Sequence, residues 1–383
     1  MRSLLSWFSL VITCVLGLVY FYLGSRLLHA RGEWALFALP FALIWSLLAV
    51  FWSLDLEVKS ERGRLGIRAF QWSSFMSMAG LSFVLTLTVA RDVLLGTALQ
   101  LGATGLAPFF TERADRSLLL LALVMLGAGL VRGLGGPRIR RVRVAIAGLD
   151  PALEGFTIAQ VSDLHVGPVI RRAYARRVVD RVNALAPDLI ALTGDIADAA
   201  VSEIRDEIAP LAGLRARHGV FFALGNHEYY WGAAEWTAEL RRLGARALLN
   251  SSEVILHGGA RMRVAGVVDY AALQHDELKT GPDPAAAIAG ERAAFNLLLA
   301  HQPKIAAEAE RAGFDLQLSG HTHNGQFFPW TWVVRRVHRI YVGLHPLGRL
   351  WVYVSPGTGS WGPPVRLGST TEITFLTLNL AAR

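Results

Sequence analysis

The chain is almost devoid of cysteine. Its single thiol, Cys14, sits in an apolar stretch far from every other ligand-type side chain, which excludes a thiolate zinc site and an iron–sulfur cluster. A cysteine-free remainder fits a reducing compartment without requiring one. There is no internal repeat, no low-complexity tract, no twin-arginine pair near the start and no basic run of the nuclear-signal kind.

Charge is missing from long parts of the first third. Leu4 to Gly24 carries none between Arg2 and Arg26, Trp34 to Leu54 none between Glu33 and Asp55, and Ala69 to Ala90 none between Arg68 and Arg91. Each is about as long as a bilayer-crossing helix. Ser117 to Val131 is charge-free for only fifteen residues and reaches spanning length with its flanks. Val93 to Phe110 is shorter, richer in glycine and interrupted by Pro108, so it reads as interfacial or as an extension of the third helix. Four spans are expected within residues 1–137 (4–24, 34–54, 69–90 and 117–134), with five as the competing count. A cleaved leader is the alternative for the first segment, but its long core and the spans behind it favour an anchor.

With four spans, Arg2, Lys59, Arg62, Arg64, Arg68, Arg132, Arg138, Arg140, Arg141 and Arg143 share one side, against Arg26, Arg31, Arg91, Arg113 and Arg116 on the other. The positive-inside rule then places the amino terminus and the later domain in the cytoplasm, at the inner membrane. Five spans would leave the charge nearly balanced. The net charge of +8 is divided evenly between the apolar third and the rest, a weak footprint for a nuclease, so no nucleic-acid partner is expected. Arg138 to Arg143 reads as a juxtamembrane basic segment meeting anionic headgroups.

Residues 138–383 alternate short apolar runs with helical patterns. Arg172 to Leu185 has helical spacing and stops before Pro187; Ser202 to Leu214 and Ala233 to Leu243 have the same spacing without a proline stop. Val264 to Val268, Trp351 to Val354 and Glu372 to Leu378 read as strands. Alternation alone suggests an α/β domain.

Five polar clusters each close an apolar run: Asp163-Leu-His165, Gly194-Asp195-x-x-Asp198, Gly225-Asn226-His227-Glu228, Ala300-His301 and Gly320-His321-Thr322-His323. The runs Thr157 to Val161, Leu189 to Leu192, Val220 to Leu224, Asn296 to Leu299 and Asp315 to Leu318 look like buried strands, and carboxyl ends of strands are where ligands collect. Taken singly, Asp-x-His is more often a turn Asp beside a surface His, and Gly-Asn-His-Glu a turn entering a helix. Together they offer Asp163, His165, Asp195, Asn226, His301, His321 and His323, more donors than one ion needs. That surplus points to two ions sharing a bridging carboxylate.

The series resembles the calcineurin-like metallophosphoesterase superfamily, whose pattern runs D-x-H, G-D-x-x-D, G-N-H-E/D, H and G-H-x-H. Gly325-Gln326 and Ser355-Pro356-Gly357-Thr358-Gly359 resemble its membrane-associated branch, which includes UDP-2,3-diacylglucosamine pyrophosphatases, although Asn324 stands where relatives often have glycine. The resemblance implies a sandwich of two mixed β-sheets flanked by helices. It implies Asp163, His165 and His323 as ligands of one ion, Asn226, His301 and His321 as ligands of the other, and Asp195 as the bridge. His227 would stand beside the scissile phosphate as catalytic acid, while Asp198 and Glu228 receive no role.

The expected cofactor is a pair of divalent ions, Mn first and Fe or Zn as alternatives. The expected reaction is phosphoester or pyrophosphate hydrolysis by a hydroxide between the ions, without a covalent intermediate. An anchored enzyme suggests membrane lipids as partners and a lipid-linked or nucleotide-sugar substrate. A tethered protein or nucleotide phosphatase, or a metal-binding scaffold without turnover, are the alternatives.

Asp269 closes the run Arg263 to Val268 and is a candidate substrate contact, whereas His218, His257 and His275 read as loop residues. Phe327 to Tyr353 interleaves Trp330, Trp332, Tyr341 and Trp351 with Arg335, Arg336, Arg339 and Arg349. Two readings stay open for it: a headgroup-level rim beside the metals, or a hairpin core plus a solvated basic loop.

Overall fold

The computed structural model describes residues 2–28, 31–47, 61–103, 105, 112–275 and 279–381. Contacts divide the chain into Met1–Val131 and Arg132–Arg383.

The first unit is helical, with helices Arg2–Leu27, Arg31–Trp45, Glu61–Gln100 and Glu112–Leu134. Three stretches among the described residues are long and apolar enough to cross a membrane: Leu10–Leu27, Leu65–Gln100 and Glu112–Leu134. The sequence predicts a fourth over 34–54. There the structure has a helix of 15 residues with Pro40 inside it, and residues 48–54 lie outside the described residues. Val93 to Phe110 gives no separate span among the described residues: its first part lengthens the third helix to Gln100, and residues 104 and 106–110 lie outside them.

The second unit is a sandwich of two six-stranded sheets. Its strands are β1 (Arg138–Ile146), β2 (Thr157–Val161), β3 (Leu189–Thr193), β4 (Val220–Ala223), β5 (Ala245–Ala247), β6 (Ser251–His257), β7 (Ala260–Gly266), β8 (Phe295–Leu299), β9 (Leu316–Ser319), β10 (Gly343–Leu347), β11 (Leu350–Val354) and β12 (Glu372–Leu380). One sheet runs β1-β12-β2-β3-β4-β5 and the other β10-β11-β9-β8-β7-β6. Within each, the central neighbours are parallel: β2, β3 and β4 in the first, β7, β8 and β9 in the second. Their carboxyl ends therefore fall on one edge of each sheet.

Side chains alternate across the strands as the pleat requires. Leu189, Ala191, Phe221, Leu297, Leu299, Leu316 and Leu318 fill the layer between the sheets. Ile190, Leu192 and Phe222 face the other way, against Tyr174, Val178 and Val182 of the helix Arg172–Asn183. The double-sheet architecture implied by the resemblance is thus present.

The basic segment Arg138 to Arg143 forms the start of β1, which pairs in parallel with β12. Its arginines are exposed while Val144 and Ile146 are buried, so the charge lies on an edge strand, where it discourages pairing with other chains. One local expectation changes: Ser202 to Leu214 is not one helix. It breaks into Val201–Ile208 and a 3-10 turn Ala209–Gly213, because Pro210 has no N–H to continue the ladder.

Candidate metal centre

The clusters lie just past the ends of β2, β3, β4, β8 and β9, and their backbone is unusual. Asp163 (φ 52), His165 (φ 50), Asp195 (φ 52), His321 (φ 69) and His323 (φ 50) all occupy the left-handed region, which costs a side-chain-bearing residue roughly 1–2 kcal/mol. Such strain persists only where surroundings over-determine it. Here neighbouring loops lock one another: Asp163 N–H donates to Gly194 O at 2.9 Å, His165 N–H to Asp195 O at 3.0 Å and Gly359 N–H to Asp163 O at 2.9 Å. Close approach also demands glycine. A Cβ at Gly320 would stand 2.0 Å from Asp163 Oδ2, and one at Gly225 would stand 2.2 Å from Asp195 Oδ1.

All eight residues that the sequence nominates come together. His165 Nε2 lies 3.0 Å from His323 Nε2, and His323 Nε2 lies 3.4 Å from Asp163 Oδ1. On the other side, His321 Nδ1 is 3.0 Å from Asn226 Oδ1 and 3.3 Å from His301 Nε2. Asp195 stands between the two sets, with Oδ2 3.1 Å from His301 Nε2 and 3.8 Å from both His165 Nε2 and His227 Nε2. Asp163, His165, Asp195, Asn226, His301 and His323 are buried.

These donors fit metal ions. Ligand atoms about 2 Å from one ion lie roughly 3 Å apart, and Asp163, His165 and His323, like Asp195, His301 and His321, offer ligand atoms within 4.8 Å of one another. The electrostatics agree. Burial disfavours a charged His301, yet the Asp195 carboxylate overrides it and raises the His301 pKa well above the usual imidazole value. Burial likewise opposes ionisation of Asp195, but the His301 and His227 cations hold its pKa well below the carboxylate range. Burial and the His301 charge push His321 down to about 3, and burial with His165 and Arg366 drives His323 well below its ordinary value. Buried carboxylates thus attract positive charge, while His321 and His323 present free lone pairs. Both suit a cation.

His227 is partly exposed at the mouth. Its N–H donates to Asp195 Oδ1 at 2.9 Å, and its ring Nδ1 comes within 2.7 Å of Asp198 Oδ1 without the alignment of a hydrogen bond. Burial would deprotonate it, but Asp195 and Asp198 raise its pKa to about 9.

Several site residues escape a reading of the sequence. Asp198 Oδ1 also lies 2.7 Å from His165 Nδ1, so this carboxylate fixes which ring nitrogen of His165 faces the centre. Glu228 is fully buried and accepts the N–H groups of Asp195 (2.9 Å), Ile196 (2.7 Å) and Gly225 (2.8 Å), tying two of the loops. Arg366, also fully buried, donates to Pro356 O at 2.8 Å and to His323 O at 3.0 Å. The signal for Asp198 and Glu228 is their motif membership; for Arg366 there is none. The Ser355–Gly359 loop packs on the Asp163 loop, with Thr358 N–H donating to Ser162 O at 2.7 Å. Asp269 is buried and accepts from Gln302 Nε2 at 3.0 Å, while its Oδ2 has no partner.

Comparison with known proteins agrees with this geometry. Residues 156–325 match the calcineurin-like phosphoesterase family. The chain is 35% identical over 271 residues to a transmembrane protein with metallophosphoesterase domain from Danio rerio, covering 69% of this chain and 62% of that one. A protein of the same description from Bos taurus is 36% identical over 273 residues, covering 68% and 62%. The chain therefore spans about 62% of the length of these two relatives. An uncharacterized metallophosphoesterase from Campylobacter jejuni is 33% identical over 266 residues, with 69% of each chain covered. Sequence kinship on that scale, over the segment whose five clusters meet at one edge of the sandwich, means that the chain belongs to the calcineurin-like phosphoesterase family.

Proposed function

We propose that the chain is a membrane-anchored hydrolase of phosphoester or pyrophosphate bonds that works with two divalent ions. The position of Asp195 carries the reading, since its Oδ2 is within 3.1 Å of His301 Nε2 and 3.8 Å of His165 Nε2 and so reaches both donor sets. Asp163, His165 and His323 would hold one ion, Asn226, His301 and His321 the other, and Asp195 both. When bound, such ions polarise phosphoryl oxygens and acidify water. His227, kept protonated by Asp195 and Asp198, donates its proton to the leaving oxygen, and Asp198 orients His165. Nitrogen and oxygen donors without thiolate favour Mn first, then Fe or Zn.

The apolar helices support an amphipathic substrate, a lipid-linked or nucleotide-sugar pyrophosphate of the kind cleaved by UDP-2,3-diacylglucosamine pyrophosphatases. The count of basic residues in the four-span arrangement supports a cytoplasmic site. The test is elemental analysis of the purified full chain together with hydrolysis of bis-p-nitrophenyl phosphate in Mn. Two ions per chain and Mn-dependent turnover are expected. Two ions without turnover on this reporter or on a panel of lipid and nucleotide phosphoesters would establish a scaffold instead.

A further inference from the structure

Between Asp315 and Glu372 the chain has no acidic residue, yet Arg335, Arg336, Arg339, Arg349 and Arg366 all fall there. Arg366 is buried, while the other four are exposed. The segment also divides by environment. Trp351 belongs to β11, and its indole N–H donates to Ala145 O at 3.0 Å, as a packed hairpin requires. The helix Trp330–Val337 behaves otherwise: only Thr331 is buried, whereas Trp330 is 49% exposed, Trp332 56%, Val337 71% and the preceding Phe328 45%. The Arg336 guanidinium lies over the Trp332 ring at 5.0 Å, and that of Arg335 lies 5.8 Å from the Tyr341 ring.

This helix is tied to the metal centre. It begins a few residues after His323, and Thr331 N–H donates to Phe327 O at 3.2 Å. Gln326, between them, donates from Nε2 to Trp361 O at 2.8 Å and accepts the Trp361 N–H at 2.7 Å. Trp361 is itself 42% exposed, and its ring lies 6.2 Å from that of His227.

We propose that Trp330–Val337 is an interfacial helix that seats the mouth of the metal centre on an anionic lipid surface, its indoles at headgroup level and Arg335, Arg336 and Arg339 on lipid phosphates. Indoles favour that depth, guanidinium groups near an anionic leaflet bind it, and the stretch itself brings no carboxylate to repel that leaflet. The site would then take its phosphoester from the bilayer. That consequence rests on the hydrolase reading; the docking itself does not.

The test uses the full chain in nanodiscs of phosphatidylcholine alone or mixed with phosphatidylglycerol. Amide hydrogen exchange over residues 328–339 should slow in the anionic discs, with the helix Arg172–Asn183 as internal control. Arg335→Gln with Arg336→Gln should remove roughly ten-fold or more of that protection, and Trp332→Ala should weaken it in both disc types. Hydrolysis of bis-p-nitrophenyl phosphate by these variants should stay within two-fold, roughly, of the parent, because none of the three side chains touches the donor set. Equal exchange in neutral and anionic discs would overturn the proposal. So would protection that persists in detergent and rises with protein concentration, which would mean a second copy covers the helix. Intact docking with no turnover on any phosphoester would overturn the hydrolase reading alone.

Discussion

The two units of this chain treat charge and apolar surface in opposite ways. In the helical unit Leu18, Phe21, Leu36, Leu94 and Leu123 face outward, while Arg91 pairs with Asp115 between two helices. In the sandwich the outward residues are mainly polar, and Asp163, Glu228 and Arg366 are completely buried. Yet buried charge means different things in the two places. Arg91 and Asp115 cancel, as ionisable groups packed between apolar helices tend to. Around Asp195 the donors converge beyond what mutual pairing can satisfy. A cancelled pair serves architecture; a convergent surplus of lone pairs is what a bound cation would satisfy.

The largest effect should come from removing the group that both donor sets share. Asp195→Ala should take hydrolysis to background and drop the metal content below two ions per chain, while the protein still fractionates with membranes. Near-normal turnover with two ions retained would break the assignment. His227→Ala should be milder and different in kind. Both ions should stay bound, and the rate should fall by roughly two to four decades, most for substrates with poor leaving groups. Loss of metal would turn His227 into a ligand, and equal losses for good and poor leaving groups would remove its role as a proton donor.

The contrast between the units was legible in unequal measure. The eight residues that the sequence nominates are readable because each cluster ends an apolar strand, and strand ends of parallel sheets gather in space. The five strands ahead of the clusters agree within a residue, as Leu189 to Leu192 is β3 with Thr193 added, whereas Val264 to Val268 is displaced, β7 running from Ala260 to Gly266. Arg138–Ile146 was not legible, because four arginines mask the alternation that Val144 and Ile146 carry. Arg366 was invisible for another reason: its carbonyl partners Pro356 and His323 lie 10 and 43 residues away, and no local pattern announces them. In the helical unit, charge-free length finds apolar segments but not helix ends. Hence 69–90 and the first part of 93–110 merge into Glu61–Gln100.

Glu228 tests whether the sandwich uses buried charge structurally as well as for binding. Its carboxylate accepts from Asp195, Ile196 and Gly225 with no exposure to water. Glu228→Gln keeps the shape but points an amide N–H₂ at backbone donors. Leaving such donors unpaired should cost about 2–4 kcal/mol, seen as an apparent Tm lower by about 5–15 °C in detergent. Both ions should still bind at saturating Mn. An unchanged Tm would mean that the loops hold themselves without this clamp.

The smallest effect should come from the helical unit. Arg91, on Glu61–Gln100, pairs with Asp115, on Glu112–Leu134, and also lies 3.1 Å from Asp92, which in turn meets Arg26 at 2.9 Å. Because Arg91 has a second carboxylate, losing Asp115 does not leave it alone, and polar contacts between membrane helices average only about 0.6 kcal/mol. A double-mutant cycle with Arg91→Ala and Asp115→Ala, followed by unfolding of the full chain in bicelles, should therefore give a coupling of about 0.5–1.5 kcal/mol. Turnover should hardly change. A coupling above about 3 kcal/mol, the size expected when a buried charge is stranded, would show that the pair is isolated and that the two units handle buried charge alike. Lost turnover would show that these helices act on the metal centre rather than only anchoring it.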